Sequence, residues 1–561
     1  MTELHPALFL IGGGLLLAFV PLGLRRVLLL ALPVAGFVAV YNLEPGASLS
    51  INLAGLQLQL LRVDKLSLLF GYLFHAAALV AGIYALHLDD RVQHMTGFLY
   101  AGSAVGAVFA GDVLTLFIFW ELLAVTSVFQ IYARQTPRAI GAGTRYLFVH
   151  VISGLLLLAG AAWQYHHSGS LAFAHMELDS PAAFLLFFGF GIKCAFPLFH
   201  TWLVDAYPEA TPTGTVFLSS FTTKTAIYAL ARGFAGTEEL IWIGAAMAIF
   251  PIFYAVIEND LRRVLGYSMI NQVGFMVVGV GLGEGMGVNG AVAHAFNDVF
   301  FKGLLFMAMG AVLFRTGRMN GSDLGGLYKS MPLTCAFSIV GASSISAFPL
   351  FSGFVSKSMV MVEAANQEYL IVWLILLFAS AGVFHHAGIK IPFFTFFAHD
   401  SGIRCREAPL NMLIAMGVSA VACVFIGIFP SYLYGLLPYA VDYVPYTVDH
   451  VVTQLQVLFF SALAFVFLQL TRIYPPELPS VNLDSDWVPR RLLPVTGRYM
   501  AAWTVPLLAM LQRLVSSLRG GTAYALHALH GPQGLWNRTW TTTSSVFLSL
   551  LFLTGYLLFY Y

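Results

Sequence analysis

Charged side chains are scarce in this chain. Asp, Glu, Lys and Arg make up 10% of its 561 residues, whereas they make up about 25% of an ordinary globular domain. Hydrophobic residues account for 59%, and apolar stretches of about 20 residues, the length that crosses a bilayer as a helix, recur along nearly the whole chain. The composition excludes a water-soluble protein and predicts an all-α polytopic membrane protein that is surrounded by the lipid bilayer.

Signatures of several other protein classes are missing. The four cysteines, Cys194, Cys335, Cys405 and Cys423, form no C-x-x-C pair and no metal-ligand spacing, so neither an iron–sulfur site nor a disulfide framework is expected. No G-x-x-x-x-G-K-[ST] motif occurs, which excludes a P-loop ATP motor. The 28 Lys plus Arg nearly balance the 27 Asp plus Glu, so no surface for nucleic acid is indicated. We expect no cofactor, no metal and no catalytic site.

Sixteen apolar runs are candidate membrane spans, and we expect about 14–16 of them to be transmembrane helices. In order, spans 1 to 16 lie near 6–24, 27–42, 67–87, 96–111, 113–132, 144–163, 182–203, 213–233, 239–257, 267–283, 289–314, 332–355, 369–397, 409–429, 452–472 and 544–561. If the N-terminus lies outside, the loops that face the cytoplasm carry most of the arginines, which satisfies the positive-inside rule. We therefore predict a multi-pass protein with its N-terminus outside.

Two segments differ from the spans around them. The alternating residues between Leu43 and Val63 predict a short external hairpin. After span 15 the composition becomes aqueous, and apolar and polar residues beyond Tyr499 alternate at helical spacing. That pattern predicts an amphipathic helix along the cytoplasmic surface, followed by one last span.

The phrase Ala-Phe-Pro-Leu-Phe occurs twice, with its proline at Pro197 in span 7 and at Pro349 in span 12. Proline interrupts a helix, and an odd offset in spans makes the two copies run in opposite directions. We interpret the phrase as the mark of an inverted repeat of five spans with discontinuous helices 7 and 12, in which freed backbone groups line a polar cavity. A chance match in an apolar sequence is the alternative.

This repeat gives the predicted domain organisation. Residues 1–95 form helices 1–3, 96–235 the first repeat with helices 4–8, 236–400 the second repeat with helices 9–13, 401–473 helices 14 and 15, 474–543 the cytoplasmic amphipathic segment, and 544–561 the last transmembrane helix.

Four charged residues lie near the middle of apolar spans, namely Glu121, Lys193, Lys224 and Lys302. A charge at this depth costs at least about 2.5–3.5 kcal/mol on insertion scales, so it is expected beside a partner or water and is functional by default. An ion pair that only locks two helices together is the alternative. Four such residues in one chain favour the functional interpretation.

The spacing of titratable residues predicts a proton path. His294, Asp298 and Lys302 occur at i, i+4 and i+8 and share one helix face, and Lys193 and His200, at i and i+7, are expected to share another. Titratable groups in a row can pass a proton through intervening water. His150 and His75 are weaker candidates for this path, because a lone histidine is often a packing residue. A transition metal is disfavoured because lysines interrupt the ligand clusters.

At this point the sequence resembles a known family. The phrases are R-V-D-K-L-S-L-L-F from Arg62, F-I-F-W-E-L-L from Phe117, G-I-K-C-A-F-P-L-F-H-T-W-L from Gly191, N-D-L-R-R-V-L-G-Y-S from Asn259, F-F-K-G-L-L-F from Phe300 and F-S-G-F-V-S-K from Phe351. Together they resemble the antiporter-like proton-translocating subunits shared by respiratory complex I and Mrp-type multi-subunit cation/proton antiporters. The succession covers about residues 60–400, and the length is most similar to the D-type subunits of bacterial Mrp complexes.

The resemblance implies a role for each matching residue. Glu121 matches the glutamate of helix 5, Lys193 the lysine of broken helix 7, Lys224 that of helix 8, Lys302 that of helix 11 and Lys357 that of broken helix 12. With His294, Asp298, His200, His150 and Lys390, these residues make up the predicted proton path. In the implied mechanism, Glu121 stabilises Lys193 as ammonium, and separation of the pair releases the proton towards the second repeat.

Two positions depart from the family pattern. Many relatives have His-x-x-x-His-x-x-x-Lys on helix 11, where this chain has Asp298 at the second position. Asp298 is expected to hold Lys302 in its charged form or to contribute to a cation site. The helix 3 phrase, usually Asp-Gly-Leu-Ser, reads Asp-Lys-Leu-Ser here.

We therefore predict a proton-translocating subunit of a multi-subunit Na⁺/H⁺ antiporter in the bacterial inner membrane, with other membrane subunits as partners and H⁺ and possibly Na⁺ as the ions. A component of a complex I-like, hydrogenase-like or inorganic-carbon-uptake complex is the alternative within the family. Two rivals from other classes remain open, a non-conducting anchor for a redox partner and a transporter of organic solutes.

Overall fold

A computed structural model describes residues 4–53, 55–478, 482–532, 534, 537 and 539–560. The chain divides into two compact units, one ending at Asn482 and the other beginning at Leu483. All residues of the candidate site lie in the first unit.

The first unit is almost entirely helical. Its first ten helices are α1 (Ala7–Leu17), α2 (Leu22–Tyr41), α3 (Lys65–Ala85), α4 (Arg91–Phe109), α5 (Val113–Tyr132), α6 (Pro137–Ser168), α7 (Pro181–Lys193), α8 (Thr201–Ala206), α9 (Pro212–Ser220) and α10 (Thr222–Gly233). Strands β1 (Ser48–Leu53) and β2 (Leu56–Arg62) pair antiparallel between α2 and α3. The predicted hairpin is therefore present, while its position outside the membrane stays a prediction.

Nine further helices complete the first unit. They are α11 (Glu238–Ile257), α12 (Leu261–Gly281), α13 (Met286–Thr316), α14 (Pro332–Ile345), α15 (Ser352–Asn366), α16 (Leu370–Val383), α17 (Leu410–Ile428), α18 (Pro430–Tyr434) and α19 (Val448–Leu470). Two π-helical stretches, Phe384–Lys390 and Phe393–Phe397, continue α16. The second unit contains α20 (Leu493–His530) and α21 (Thr542–Tyr560).

Local sequence signals explain many of the helix ends. Asp64 caps α3 in a capping box with Ser67, and Asp112 caps α5 by accepting from the Thr115 backbone amide. The long helices α6 and α13 both end at a glycine, Gly169 or Gly317, with φ of 66° and 70°. This left-handed conformation is one that glycine adopts without steric cost.

Among the described residues, twelve helices are long and apolar enough to cross a membrane, and α1, α7 and α14 are shorter apolar helices. Each predicted span coincides with one helix or with two consecutive helices; residue 561, at the end of span 16, lies outside the described residues. The chain is thus a multi-pass membrane protein. The placement of α20 along the cytoplasmic surface stays a prediction.

Two helices form the centre of the first unit. The most apolar 18 residues of α12 are all buried, and 78% of the corresponding residues of α13 are buried. In α2, which lies at the outside of the unit, only 28% of these residues are buried. Helix α12 packs along α11 and α13, and α13 also contacts α9, α14, α15 and α17. Because α13 carries the predicted file of titratable residues, that file lies inside the protein and away from lipid.

The Ala-Phe-Pro-Leu-Phe phrase interrupts a helix at both of its occurrences. Pro197 lies between α7 and α8, and Pro349 lies between α14 and α15. The alanine of the two copies has φ of 62° and 60°, and the leucine has φ of 73° and 74°. A left-handed residue other than glycine costs about 1–2 kcal/mol, so four such residues at matching places indicate one shared backbone design. Spans 7 and 12 are discontinuous, as the prolines predict; the inversion of the repeats stays a prediction.

Candidate functional site

Lys193 is the last residue of α7, and the break after it turns its ammonium towards α5. The lysine is fully buried. Its Nζ donates a hydrogen bond of 2.5 Å to the Trp120 carbonyl and lies 4.4 Å from the centre of the Trp120 ring. A carbonyl and an aromatic face both stabilise a cation. The site therefore holds Lys193 through the residue that precedes Glu121.

Glu121 lies close to Lys193 without touching it. The two charges interact through space, but no direct ion pair joins them among the described residues, and Glu121 Oε1 has no hydrogen-bond partner there. The carboxylate packs against Gly154 of α6, so closely that a Cβ at that position would overlap Glu121 Oε1. Glu121 can thus change its interaction with Lys193 without a contact being broken.

The two histidines predicted near Lys193 have different surroundings. The prediction that Lys193 and His200 share a helix face is wrong, because the break separates α7 from α8 and His200 is the residue that precedes α8. Its ring packs 4.7 Å from that of Phe250. His150 is fully buried, its ring 4.5 Å from that of Trp202, and neither ring nitrogen has a hydrogen-bond partner among the described residues.

Lys224 and Asp298 form the most deeply buried ion pair of the described residues. Lys224 Nζ on α10 lies 2.5 Å from Asp298 Oδ2 on α13, with both side chains fully buried. The ammonium also donates to the Ser219 carbonyl at the end of α9, over 2.9 Å. The expected contact of Asp298 was with Lys302. The carboxylate instead pairs with the preceding lysine of the path, while its charge still acts on Lys302.

His294, Asp298 and Lys302 lie on the single continuous helix α13 and are fully buried, as their spacing predicts. His294 contacts Gln272 Oε1 through Nε2 and Ser356 Oγ through Nδ1, each over 3.0 Å. Which ring nitrogen donates depends on the tautomer of the imidazole.

Lys302 precedes the second helix break in the sequence, and Lys357 follows it. Lys302 Nζ donates to Ser268 Oγ on α12 over 2.7 Å. Lys357 Nζ donates to the Ile345 carbonyl, the last of α14, over 3.0 Å, and lies 5.0 Å from the centre of the Phe275 ring. The charge of Asp298 also acts on Lys357.

Lys390 lies at the end of a π-helical stretch and is fully buried. Its Nζ donates to carbonyls at the end of α11, those of Val256 and Glu258 over 2.7 Å each. It also forms an ion pair of 2.9 Å with Glu477, whose side chain is 6% exposed. Glu477 follows α19 in a segment whose polar composition gave no reason to single out one carboxylate.

Three of these lysines share one kind of partner, a backbone carbonyl at the end of a helix. These carbonyls belong to α9 for Lys224, to α14 for Lys357 and to α11 for Lys390. The C-terminus of a helix carries a partial negative charge, which stabilises a nearby cation. The ends of these helices therefore supply cation partners for the buried lysines.

Side chains satisfy part of the backbone freed at the two breaks. Trp202 Nε1 donates to the Ile192 carbonyl over 2.9 Å, and the Leu350 amide donates to the Tyr446 hydroxyl over 3.2 Å. Only the remaining freed groups need hydration. His75, a weaker candidate, donates from Nδ1 to the Gly71 carbonyl over 2.8 Å and packs against Gly36, which fits a packing residue.

Comparison of the sequence with known proteins shows similarity to one family of membrane proteins. The sequence profile described as NADH:quinone oxidoreductase/Mrp antiporter, transmembrane, matches residues 110–385. The chain is 28% identical over 422 residues to the A-type subunit of the Na(+)/H(+) antiporter of Alkalihalophilus pseudofirmus, covering 66% of this chain and 52% of that protein. It is also 28% identical over 421 residues to Hydrogenase-4 component B of Escherichia coli, covering 66% of this chain and 63% of that protein.

A solved structure extends the likeness of fold to nearly the whole chain. The membrane-bound sulfane sulfur reductase, an archaeal respiratory membrane complex, contains a chain that matches with a TM-score of 0.72 and 20% identity, covering 98% of this chain and 99% of that chain. The chain spans only about half to two thirds of the length of the two curated relatives. Residues 110–385 of the chain therefore match the NADH:quinone oxidoreductase/Mrp antiporter transmembrane family.

Proposed function

We propose that this chain is a proton-translocating subunit of a multi-subunit Na⁺/H⁺ antiporter. The observation that carries the proposal is the buried Lys224–Asp298 pair. It connects α10, which lies after the first break in the sequence, to α13, which carries Lys302, so titratable groups continue from one broken helix towards the other. A membrane anchor without transport has no use for buried charges of this cost.

In the proposed mechanism, Glu121 sets the proton affinity of Lys193. The Trp120 carbonyl and ring hold the ammonium in place, and Glu121 adds a favourable interaction that depends on its distance. About 1.4 kcal/mol of changed interaction alters proton affinity tenfold. Movement of the Glu121 carboxylate away from Lys193 would therefore release the proton towards Lys224.

Asp298 links the next two steps. A proton that leaves Lys224 removes the positive charge that Asp298 balances, and the carboxylate is then free to favour an ammonium at Lys302, one helical turn away on α13. Lys357 is the last lysine of this path. His294 and His150 are further titratable groups of the proposed path, and a histidine can bind a proton transiently.

A component of a redox-linked complex is the second candidate. Two observations favour it: the similarity to Hydrogenase-4 component B equals the similarity to the antiporter protein, and the fold match that spans the whole chain is to a respiratory complex. In that setting the same lysine path would move protons without Na⁺. In either case we propose other membrane subunits as partners, a location in the bacterial inner membrane and an N-terminus outside.

Transport by the assembled complex tests both candidates. Inside-out membrane vesicles that contain the complex would be energised and loaded with a fluorescent pH indicator such as acridine orange. Addition of Na⁺ should release accumulated protons if the complex is an antiporter, and Lys193→Ala should abolish this response while leaving the protein in the membrane. Proton uptake that needs a redox substrate and ignores Na⁺ would favour the second candidate. Transport that is equal in wild type and Lys193→Ala would contradict both.

A further inference from the structure

His386 is a buried histidine that the proposed path does not use. It lies in the π-helical stretch that continues α16, and its side chain is fully buried. The Gly382 carbonyl acts on the ring, but neither ring nitrogen has a partner with hydrogen-bond geometry among the described residues. Buried polar groups are normally hydrogen-bonded, and π-helical turns inside α-helices are frequent at functional sites.

The charged groups around His386 belong to two elements. Lys302 acts on it from α13, and Lys390 and His385 act on it from its own helical stretch. Lys390 follows His386 by four residues, one turn of helix further along. His386 therefore lies one turn before the buried lysine that pairs with Glu477, and the charge of the lysine of the proposed path acts on its ring.

Glu477 extends this series to a pocket at the surface that several polar side chains line. The pocket has a volume of about 560 Å³, and His399, Gln469 and Arg472 line it together with Glu477. Its residues come from the second π-helical stretch, from the end of α19, and from the loops that follow α13, that stretch and α19. The positive-inside rule predicts that all three loops face the cytoplasm.

The environment of Glu477 suits proton exchange. Burial raises the pKa of the Glu477 carboxyl above its usual range, against the lowering effect of the Lys390 ammonium. A carboxyl with a raised pKa takes up and releases a proton closer to neutral pH. Glu477 touches both the pocket and Lys390, over 2.9 Å.

We propose that Glu477, Lys390 and His386 form a proton access route from this pocket to Lys302. This inference rests on the proposed proton transport and adds a route of its own. The route reaches the second predicted repeat from its cytoplasmic side, independently of Glu121 and Lys193. Each of its groups can both accept and donate a proton.

A structural clamp is the competing explanation. Lys390 binds the end of α11, and its ion pair with Glu477 holds the segment after α19. A clamp needs the positive charge and the hydrogen bonds, whereas a route needs Lys390 to lose its proton. The two explanations therefore predict different transport rates for a substitution of Lys390 whose side chain is always positively charged.

The neighbouring histidine provides a matched control. His385 faces an apolar cavity between α11, α16 and α19, and its ring packs against those of Phe465 and Tyr474 with centroid distances of 5.1 Å and 5.4 Å. In the vesicle assay, His386→Gln should lower the transport rate on the order of a hundredfold, the scale of a lost acid–base group. His385→Gln should transport as the wild type does.

Lys390→Arg and Glu477→Gln separate the route from the clamp. Arginine keeps a positive charge and donors for the α11 carbonyls but does not deprotonate in proteins. We expect Lys390→Arg to assemble in normal amounts, measured by immunoblot of purified membranes, and to lose transport. We expect Glu477→Gln to assemble and to lose the dependence of the transport rate on cytoplasmic-side pH. Rates and pH profiles of His386→Gln and Glu477→Gln that equal those of His385→Gln would overturn the route.

A failure of the route can be told apart from a failure of the proposed function. If the wild-type complex transports protons and Lys193→Ala does not, while His386→Gln and Glu477→Gln behave as wild type, the route is wrong and the proposed function stands. If the wild-type complex shows no transport under energised conditions, both the proposed function and the proposed route are wrong.

Discussion

The Lys224 ammonium lies 2.5 Å from the Asp298 carboxylate, and both side chains are fully buried. The pair joins α10 to α13, two helices whose residues lie between the two breaks in the sequence. A buried pair is expensive to form, but removal of one partner is more costly, since it leaves an uncompensated charge. The pair therefore has measurable consequences for assembly and for transport.

Asp298→Asn should impair both. It leaves the Lys224 charge without a counter-ion, at a cost of about 3–5 kcal/mol in comparable buried pairs. We expect less assembled protein in the membrane, measured by immunoblot after mild detergent extraction, and loss of proton transport in vesicles.

Replacement of both partners separates the two effects. The double variant Lys224→Met with Asp298→Leu removes the pair and leaves apolar side chains of similar volume, which is often neutral for stability. We expect normal assembly without transport. Normal transport by the double variant would show that the pair only holds the helices together.

Asp298→His tests the departure from the family pattern. The substitution gives α13 the commoner His-x-x-x-His-x-x-x-Lys arrangement and removes the counter-ion of Lys224. Lys224 then releases its proton more readily, and a cation loses a carboxylate ligand on this helix face. We expect residual transport with an altered Na⁺ dependence or pH optimum, measured across a series of Na⁺ concentrations and pH values. Unchanged profiles would leave Asp298 as a packing residue.

The sequence predicted the helix breaks and the buried lysines because each signal is local. A proline inside an apolar run interrupts a helix wherever the helix packs, and a lysine in such a run is conspicuous without knowledge of its neighbours. The spacing on α13 was equally local, since it depends only on one continuous helix. The predicted shared face of Lys193 and His200 failed because the same proline that marks the break also ends the periodicity.

The partners of these residues depend on tertiary packing and were not predicted. Nothing in the spacing of Lys224 indicates Asp298, which belongs to another helix. Glu477 lies in a polar segment where carboxylates are common, and only the fold brings it to Lys390. His386 did give a signal, because two histidines and a lysine follow one another in the apolar run of span 13. That signal indicates a functional residue only when the structure shows that His386 is buried in the π-helical stretch.

Gly154→Ala should inhibit transport without changing any charge. A Cβ at this position of α6 would overlap the Glu121 carboxylate, so Glu121 must move relative to Lys193. We expect a transport rate between those of wild type and Glu121→Gln, with normal amounts of the protein in the membrane. Gly12→Ala is the control, because a Cβ there meets no atom within 4 Å. Equal rates for Gly154→Ala and Gly12→Ala would show that the position of Glu121 does not control Lys193.

Pro197→Ala tests whether the first break is needed. Proline lacks the amide hydrogen and blocks the preceding turn, and without it the segment can adopt the helical conformation from which the left-handed Ala195 and Leu198 now depart. A continuous helix would redirect Lys193, the last residue of α7, away from the Trp120 carbonyl. We therefore expect proton transport in vesicles to fall although every titratable residue remains. Ala195→Gly is the matched control, since glycine adopts the observed φ of 62° without steric cost and preserves the break. If Pro197→Ala transports as fast as Ala195→Gly, the break is a remnant of a repeated sequence and not part of the path.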